Sequence, residues 1–376
     1  MSPLKIIFPD SLLRLARSLD EVLSGTTAPT TPIDEPLVML AVRRHQVGPL
    51  LYAAALNGRH TISPALLHLL ERSYQASAAR RTAALMRLNQ ISQQFRMRDI
   101  AWMALKGAPQ AGRLYADPAW RDSADIDILV PPQQFSAALD VLIDMGFIAS
   151  YPPIPSSHAL RKPILAAIRD VTLIARDDRS CAVELHRRLF IASDRRAGLL
   201  RLEPVPGSLP APAPGPGLAS YVVAHGALSL WVRLKWLVDL VPLFQKLNAA
   251  QKLAALNRAR GSGTENSFAA SLLLLRALFP SAALGPLISW LETKQSEPAV
   301  KRRLSRYVEM ISLENDKNRS PFDNAVVALE SNWMLFESSS TRAHILASAP
   351  LSSVARRIAG SLCKADRALT RPTAST

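Results

Sequence analysis

Apolar side chains recur at helical spacing through the first hundred residues. In the longest amphipathic stretch, 64–98, Leu88, Ile91 and Phe95 fall on one helical face together with Leu85. A stripe of this kind is typical of a helix surface that faces a core. The pattern therefore predicts a mostly helical N-terminal region, over residues 1–99.

The hydrophobic period changes after residue 99, from helical spacing to alternation. Two strands, a helix that ends at Gly146 and a β-hairpin are expected in that order, over residues 100–105, 125–130, 135–145 and 171–175 with 182–186. This mixture predicts an α/β (α+β) fold with a small mixed β-sheet core, over residues 100–202.

A segment rich in Pro, Ala and Gly follows the predicted core. Residues 203–217 contain closely spaced prolines, which favour a semi-rigid linker. Apolar segments with helical periodicity then fill residues 218–345 and predict a second helical region. The tail, 346–376, is expected to be partly disordered.

Two carboxylates stand one residue apart in an otherwise apolar strand. Asp125 and Asp127 share one face of that strand, about 6.6 Å apart along it, while Ile126 and Ile128 occupy the other. Asp-x-Asp also occurs in turns, where both groups are solvated. The β-branched run favours a strand, and paired carboxylates there are a candidate site for Mg²⁺.

Several motifs in a fixed order resemble a known family. Lys106-Gly107, Tyr115 to Pro118 and Arg121 precede the Asp-x-Asp strand, as in the uncharacterised bacterial nucleotidyltransferase family of the polymerase-β-like nucleotidyltransferase superfamily. Further pieces that resemble the family lie at 45–51, 183–186, 225–226 and 231–240. The resemblance spans residues 35 to 245.

The resemblance implies a metal-dependent enzyme. It would transfer a nucleoside monophosphate from an NTP, with Mg²⁺ or Mn²⁺, to a hydroxyl or phosphate of a small molecule, peptide or protein, releasing pyrophosphate. Asp125, Asp127 and Glu184 are the implied catalytic metal ligands. Glu184 has an alternative as an edge-strand surface residue paired with Arg187 or Arg188. Roles in peptide or polysaccharide biosynthesis are also typical of such proteins.

Four further residues are candidates for nucleotide binding. Lys106 and Gly107 precede a predicted helix, although the superfamily's usual Gly-Ser is Gly-Ala here, so a hydroxyl contact is expected to be missing. Arg121 is a phosphate or sugar contact, or a partner of Asp122. Lys235 is a triphosphate contact, or an i, i+4 partner of an aspartate.

Three other side chains lie near these motifs, and the sequence leaves the role of the first of them open. His186 would share the strand face of Glu184 and either orient the acceptor or serve a structural hydrogen bond. Trp231 and Trp236 are expected to be core residues rather than platforms for base stacking.

Two rival functions remain open, one suggested by the charge of the chain and one by the missing Gly-Ser. Lys and Arg outnumber Asp and Glu by 45 to 30, which gives a formal net charge of +15 and favours anionic partners. Because the basic residues are scattered, a nucleic-acid-binding protein is possible but not favoured. A regulatory module that binds nucleotide without turnover is the other rival.

The cysteines and the apolar segments of the sequence indicate a cellular compartment for the protein. Cys181 and Cys363 are far apart and form no metal-binding spacing, which suits a reducing compartment. The N-terminal apolar run is short for a signal peptide, and no membrane span is expected. A cytoplasmic location is the resulting expectation.

Overall fold

The computed structural model confirms the predicted α/β fold, with a five-stranded mixed sheet and helical regions around it. It describes residues 6–26, 32–57, 60–155, 158–176, 182–190, 209–313, 321–339, 341–343, 345–346, 354 and 358–359. Both cysteines, the end of the predicted core at 191–202, the first part of the predicted linker and the last residues of the tail lie outside the described residues.

The elements follow the predicted change of period. The helices are α1 Asp10–Ser24, α2 Glu35–Met39, α3 Gly48–Leu56, α4 Pro64–Met97, α5 Ala108–Leu114, α6 Phe135–Asp144, α7 His158–Ala167, α8 Pro216–Leu228, α9 Leu234–Val238, α10 Leu240–Lys246, α11 Ala249–Ser262, α12 Glu265–Leu278, α13 Ile288–Lys294, α14 Pro298–Ile311 and α15 Pro321–Leu335. The strands are β1 Met103–Ala104, β2 Asp125–Leu129, β3 Phe147–Tyr151, β4 Asp170–Ala175 and β5 Ala182–His186. Among the described helices, none combines the length and the apolar character that crossing a bilayer requires.

The sheet has the order β1-β2-β5-β4-β3, with β2 and β5 parallel and the other pairs antiparallel. The β4–β5 hairpin is present as predicted. Strand β1 is shorter than expected, because the backbone N–H of Ala101 donates to the side chain of Gln134 instead of a neighbouring strand. Only Met103 and Ala104 form the strand, and the N–H of Leu105 extends its bonding to the carbonyl of Asp127.

One face of the sheet is apolar and packs on helices α4 and α6. Ile126 and Ile128 of β2 are buried there, and the predicted stripe of α4 lies in the same core. Leu88, Ile91 and Phe95 are fully buried, as the helical spacing predicted. The opposite face carries the acidic residues of β2 and β5, since side chains alternate along a strand.

The helices before and after the sheet share a second core. Apolar residues of α1 to α3 and of α8 to α14 form one continuous buried cluster. His45 joins the two parts, because its Nδ1 accepts from the N–H of Leu234 at 3.2 Å and its carbonyl accepts from Lys235. Burial lowers the pKa of His45 to about 3, so the ring is neutral and can accept.

A close contact fixes the turn between α8 and α9. Trp231 is fully buried, as predicted, and its Nε1 donates to Ser271 Oγ at 2.9 Å. A Cβ at position 226 would lie 2.2 Å from the Trp231 ring. Gly226 is therefore required for the ring to pack against α8, which explains the glycine after His225.

The described part of the proline-rich segment, 209–217, lies along the outer side of β1. The N–H of Ala104 donates to the carbonyl of Pro210 at 2.8 Å, and Gln110 Nε2 donates to the carbonyl of Pro212 at 2.9 Å. An edge strand with unpaired backbone groups is thus partly covered. This segment leads directly into α8, which begins at Pro216.

Candidate active site

A cavity of about 190 Å³ opens beside the acidic residues of the sheet. Six of the seven predicted site residues line it, and Asp127 adjoins it through a contact with Lys106. The cavity is lined by Lys106, Gly107, Arg121, Ser123, Asp125, Glu184, His225, Lys235 and Trp236. The sheet and the helical region therefore both contribute to one site.

Asp127 is the most buried of the acidic residues, with only 1% of its surface exposed. Lys106 Nζ lies 2.7 Å from Asp127 Oδ2 and 3.6 Å from Asp125 Oδ2. Burial favours the neutral carboxyl, but Lys106 and His186 outweigh it and hold the pKa of Asp127 well below its usual value. Burial of Lys106 is likewise outweighed by Asp127 and Asp125, which raise the pKa of its ammonium group.

His186 connects the carboxylates of β2, β4 and β5. Its Nε2 lies 3.2 Å from Asp127 Oδ1 and 3.5 Å from Glu184 Oε2, and its Nδ1 lies 3.7 Å from Asp170 Oδ2. Burial lowers the pKa of His186, but hydrogen bonds to Asp127 and Glu184 more than compensate and leave it raised. The prediction that His186 shares a face with Glu184 is confirmed.

Asp127, Glu184 and His186 form a group that can hold a metal ion. One ligand atom from each lies within 4.8 Å of the other two. The two carboxylates lie close together because β2 and β5 are parallel and their register places Asp127 directly opposite Glu184. Two carboxylates and an imidazole are ligands that divalent metals accept. The alternative of Glu184 as an edge-strand residue is wrong, since β5 lies between β2 and β4.

Gly107 and Ser123 meet at the cavity wall. Gly107 has a φ of +81°, and a Cβ there would lie 2.7 Å from Ser123 Oγ. Any larger residue would be strained and would clash. Ser123 also donates to Asp125 Oδ1 at 3.3 Å. A hydroxyl is therefore present beside Gly107 after all, although the sequence of the loop itself predicted none.

The Arg121 guanidinium pairs with a carboxylate of the helical region, and its Nη1 also donates to the backbone carbonyl of Asp122. Its Nε donates to both oxygens of Asp239, at 2.7 and 2.9 Å, and Tyr115 donates to Asp239 Oδ1 at 2.6 Å. Burial would lower the pKa of Arg121, but Asp239 raises it. The alternative pairing with Asp122 is wrong, because the Asp122 carboxylate accepts from Arg80 at 2.7 Å.

Lys235 lies on the short helix α9 and reaches the cavity. Its predicted i, i+4 contact with Asp239 is not formed, because α9 ends at Val238 and the Asp239 carboxylate accepts from Arg121 and Tyr115. Burial, and then the positive charge of Arg121, lower the pKa of Lys235 to about 8. Lys235 is thus a cation that loses its charge as the pH rises through about 8.

The whole cavity lies within the stretch that a family model recognises. The model is described as an uncharacterised nucleotidyltransferase and matches residues 31–280. The chain belongs to this nucleotidyltransferase family. Neither the comparison with curated proteins nor the comparison with solved structures found a match.

The nucleotidyltransferase cavity includes residues to which sequence reasoning gave no role. His225 belongs to a segment that resembles the family, but it had no role of its own. Trp236 packs against the core as expected, and both side chains line the cavity. Ser123 had no motif of its own. Their nearness to the predicted residues arises from packing between α8, α9 and the sheet, for which the sequence carries no local signal.

The Arg121–Asp239 pair makes a testable prediction. Asp239→Asn leaves the buried Arg121 without its counter-charge, and we expect a loss of about 3–5 kcal/mol in the free energy of unfolding. Asp122→Asn is the matched control, since its pair with Arg80 is more exposed and contributes about 1 kcal/mol or less. Urea denaturation measures both variants. Equal effects of the two substitutions would contradict the assignment.

Proposed function

We propose that this nucleotidyltransferase transfers a nucleoside monophosphate from an NTP to an acceptor hydroxyl or phosphate and releases pyrophosphate. The observation that supports this most is the position of the Asp127–Glu184–His186 group beside a cavity lined by three cationic side chains. Lys106, Arg121 and Lys235 supply positive charge for a triphosphate, while the carboxylates supply metal ligands.

The metal would be Mg²⁺ or Mn²⁺, held by Asp125, Asp127 and Glu184. When bound, it would neutralise charge on the phosphates and align the attacking and leaving oxygens. The donor set fits such an ion, because oxygen ligands dominate, and His186 adds a nitrogen that Mn²⁺ accepts once the metal displaces its proton. The ammonium group of Lys106 between Asp125 and Asp127 marks a position where positive charge is favourable.

The chain's own residues would orient the triphosphate. Arg121 has a fixed direction, since Asp239 holds its Nε, and Lys235 approaches from α9. Ser123 offers a hydroxyl close to Gly107, where the absence of a side chain leaves room for a phosphate oxygen. Together these contacts would hold the triphosphate so that the attacking oxygen of the acceptor can reach the α-phosphate.

Glu184 is the proposed proton acceptor. Its side chain is 35% exposed, so the acceptor can reach it, whereas that of Asp127 is 1% exposed. Asp125 is as exposed as Glu184, but it lies 3.6 Å from the Lys106 ammonium group. The acceptor oxygen would form a bond to the α-phosphorus as the bond to the bridging oxygen breaks. The hydroxyl proton would pass to Glu184, and pyrophosphate would leave with the bonding electron pair.

Label transfer from each α-³²P-labelled NTP, with Mg²⁺ or Mn²⁺ and a cell lysate as the source of acceptor, tests the proposal. We expect transfer by the intact chain and a loss of at least about a hundredfold in Asp125→Asn and Asp127→Asn, because a metal ligand is lost. Asp140→Asn is the control, since Asp140 lies on α6 and pairs with Arg161 instead.

Three outcomes would contradict the proposal. Tight binding of metal and NTP without transfer to any acceptor would favour a regulatory module. Binding of nucleic acid with a steep salt dependence, and no binding of NTP, would favour the nucleic-acid-binding rival. Transfer that survives both aspartate substitutions would place the chemistry elsewhere in the chain.

The pKa of Lys235 predicts a pH dependence. Only the protonated ammonium of Lys235 attracts the triphosphate, so we expect full affinity well below pH 8 and a fall as the pH rises through 8, down to the level that Lys106 and Arg121 maintain. Lys235→Arg keeps its charge and should remove this fall. Equilibrium binding of an NTP with Mn²⁺ between pH 7 and 9.5 measures both. Parallel profiles for the two proteins would exclude Lys235 as the titrating group.

A further inference from the structure

One wall of the cavity differs in character from the rest. Five of the lining side chains are basic or acidic, namely Lys106, Arg121, Lys235, Asp125 and Glu184. Two others, His225 and Trp236, present aromatic rings instead. The two rings make a T-shaped contact, with centroids 5.7 Å apart and planes at 87°. This contact fixes their relative orientation. These two side chains, called here the aromatic wall, have no role in the chemistry proposed above.

His225 offers an unused hydrogen-bonding atom. Its Nε2 is buried and has no hydrogen-bond partner among the described residues. A buried polar atom without a partner is costly, so such an atom on a side chain that lines a cavity points to a ligand. Burial, and then the charge of Lys106, lower the pKa of His225 well below its usual value, so the ring is neutral. A neutral imidazole has one N–H donor and one acceptor nitrogen.

We propose that the aromatic wall binds the nucleobase of the NTP, with His225 reading its hydrogen-bonding edge and Trp236 contacting its ring face. This assignment rests on the proposed function and adds the residues that select the base. The cationic side chains already serve the phosphates, which only accept hydrogen bonds. A base edge carries both donors and acceptors, and aromatic side chains stack on base rings.

The size and exposure of the cavity agree with this assignment. Its volume of about 190 Å³ is below the ~300–1,000 Å³ of sites that enclose a whole drug-sized ligand. An NTP would therefore extend out of the cavity. Trp236 lines the cavity and is only partly buried, so a ligand can contact its ring. Gly226 lets the Trp231 ring pack closely against α8.

Calorimetric titration of ATP, GTP, CTP, UTP and inorganic tripolyphosphate, each with Mn²⁺, tests the assignment. Tripolyphosphate lacks the base, so the ratio of NTP to tripolyphosphate affinity isolates the contribution of the aromatic wall. We expect the intact chain to prefer at least one NTP by about tenfold or more. His225→Leu should make the four NTP affinities converge, and Trp236→Leu should lower all four by about tenfold.

Several variants keep the test interpretable. His225→Gln retains a donor and an acceptor and should restore part of the preference, and Trp236→Phe should retain most of the affinity. His68→Leu and Trp333→Leu are matched controls, since both side chains lie outside the cavity and are exposed. Tripolyphosphate affinity should stay within about twofold in every variant, which shows that the phosphate contacts and the fold are intact.

The outcomes separate this assignment from the proposed function. An intact chain that binds NTP and tripolyphosphate equally would overturn the aromatic wall alone. Variants that keep the NTP preference but lose label transfer would assign His225 to the acceptor instead and would also overturn it. An intact chain that binds neither ligand would overturn the proposed function, and this assignment with it.

Discussion

A carboxylate buried inside the protein needs positive charge beside it, and Asp127 imposes this requirement on the surrounding fold. Lys106, between β1 and α5, and His186, at the end of β5, both converge on it. These contacts with Asp127 place β1, β2 and β5 along one edge of the site. The same arrangement leaves the more exposed Asp125 and Glu184 open to the cavity, where a metal and a nucleotide can reach them.

Each of the two hydrophobic cores positions a different set of site residues. The sheet, backed by α4 and α6, fixes the carboxylates through strand register, as the pairing of Asp127 with Glu184 shows. The helical region supplies Lys235, His225 and Trp236 and holds Arg121 through Asp239. Because each part provides groups that the other lacks, a change in their packing would separate the carboxylates from the cations and the aromatic wall.

Local pattern predicted four of the five strands, with β3 missed, but not the connections of the sheet to the helices. Asp125 and Asp127 in a β-branched run, and the turn-rich segment before Glu184, are short-range signals of a strand and a hairpin. The pairing of Arg121 with Asp239 joins residues 118 positions apart, and no periodicity encodes it. Ser123 was missed for a related reason, since its hydroxyl lies beside Gly107 through tertiary packing that no local pattern encodes.

The most direct test of the account is Mn²⁺ binding, measured by electron paramagnetic resonance with and without a non-hydrolysable NTP. We expect the intact chain to bind Mn²⁺ more tightly with the nucleotide, and we expect Asp127→Asn and Glu184→Gln each to lose this binding while Asp140→Asn keeps it. Circular dichroism confirms that each variant is folded. Unchanged binding of Mn²⁺ and nucleotide in folded Asp127→Asn and Glu184→Gln would contradict the assignment of the metal site.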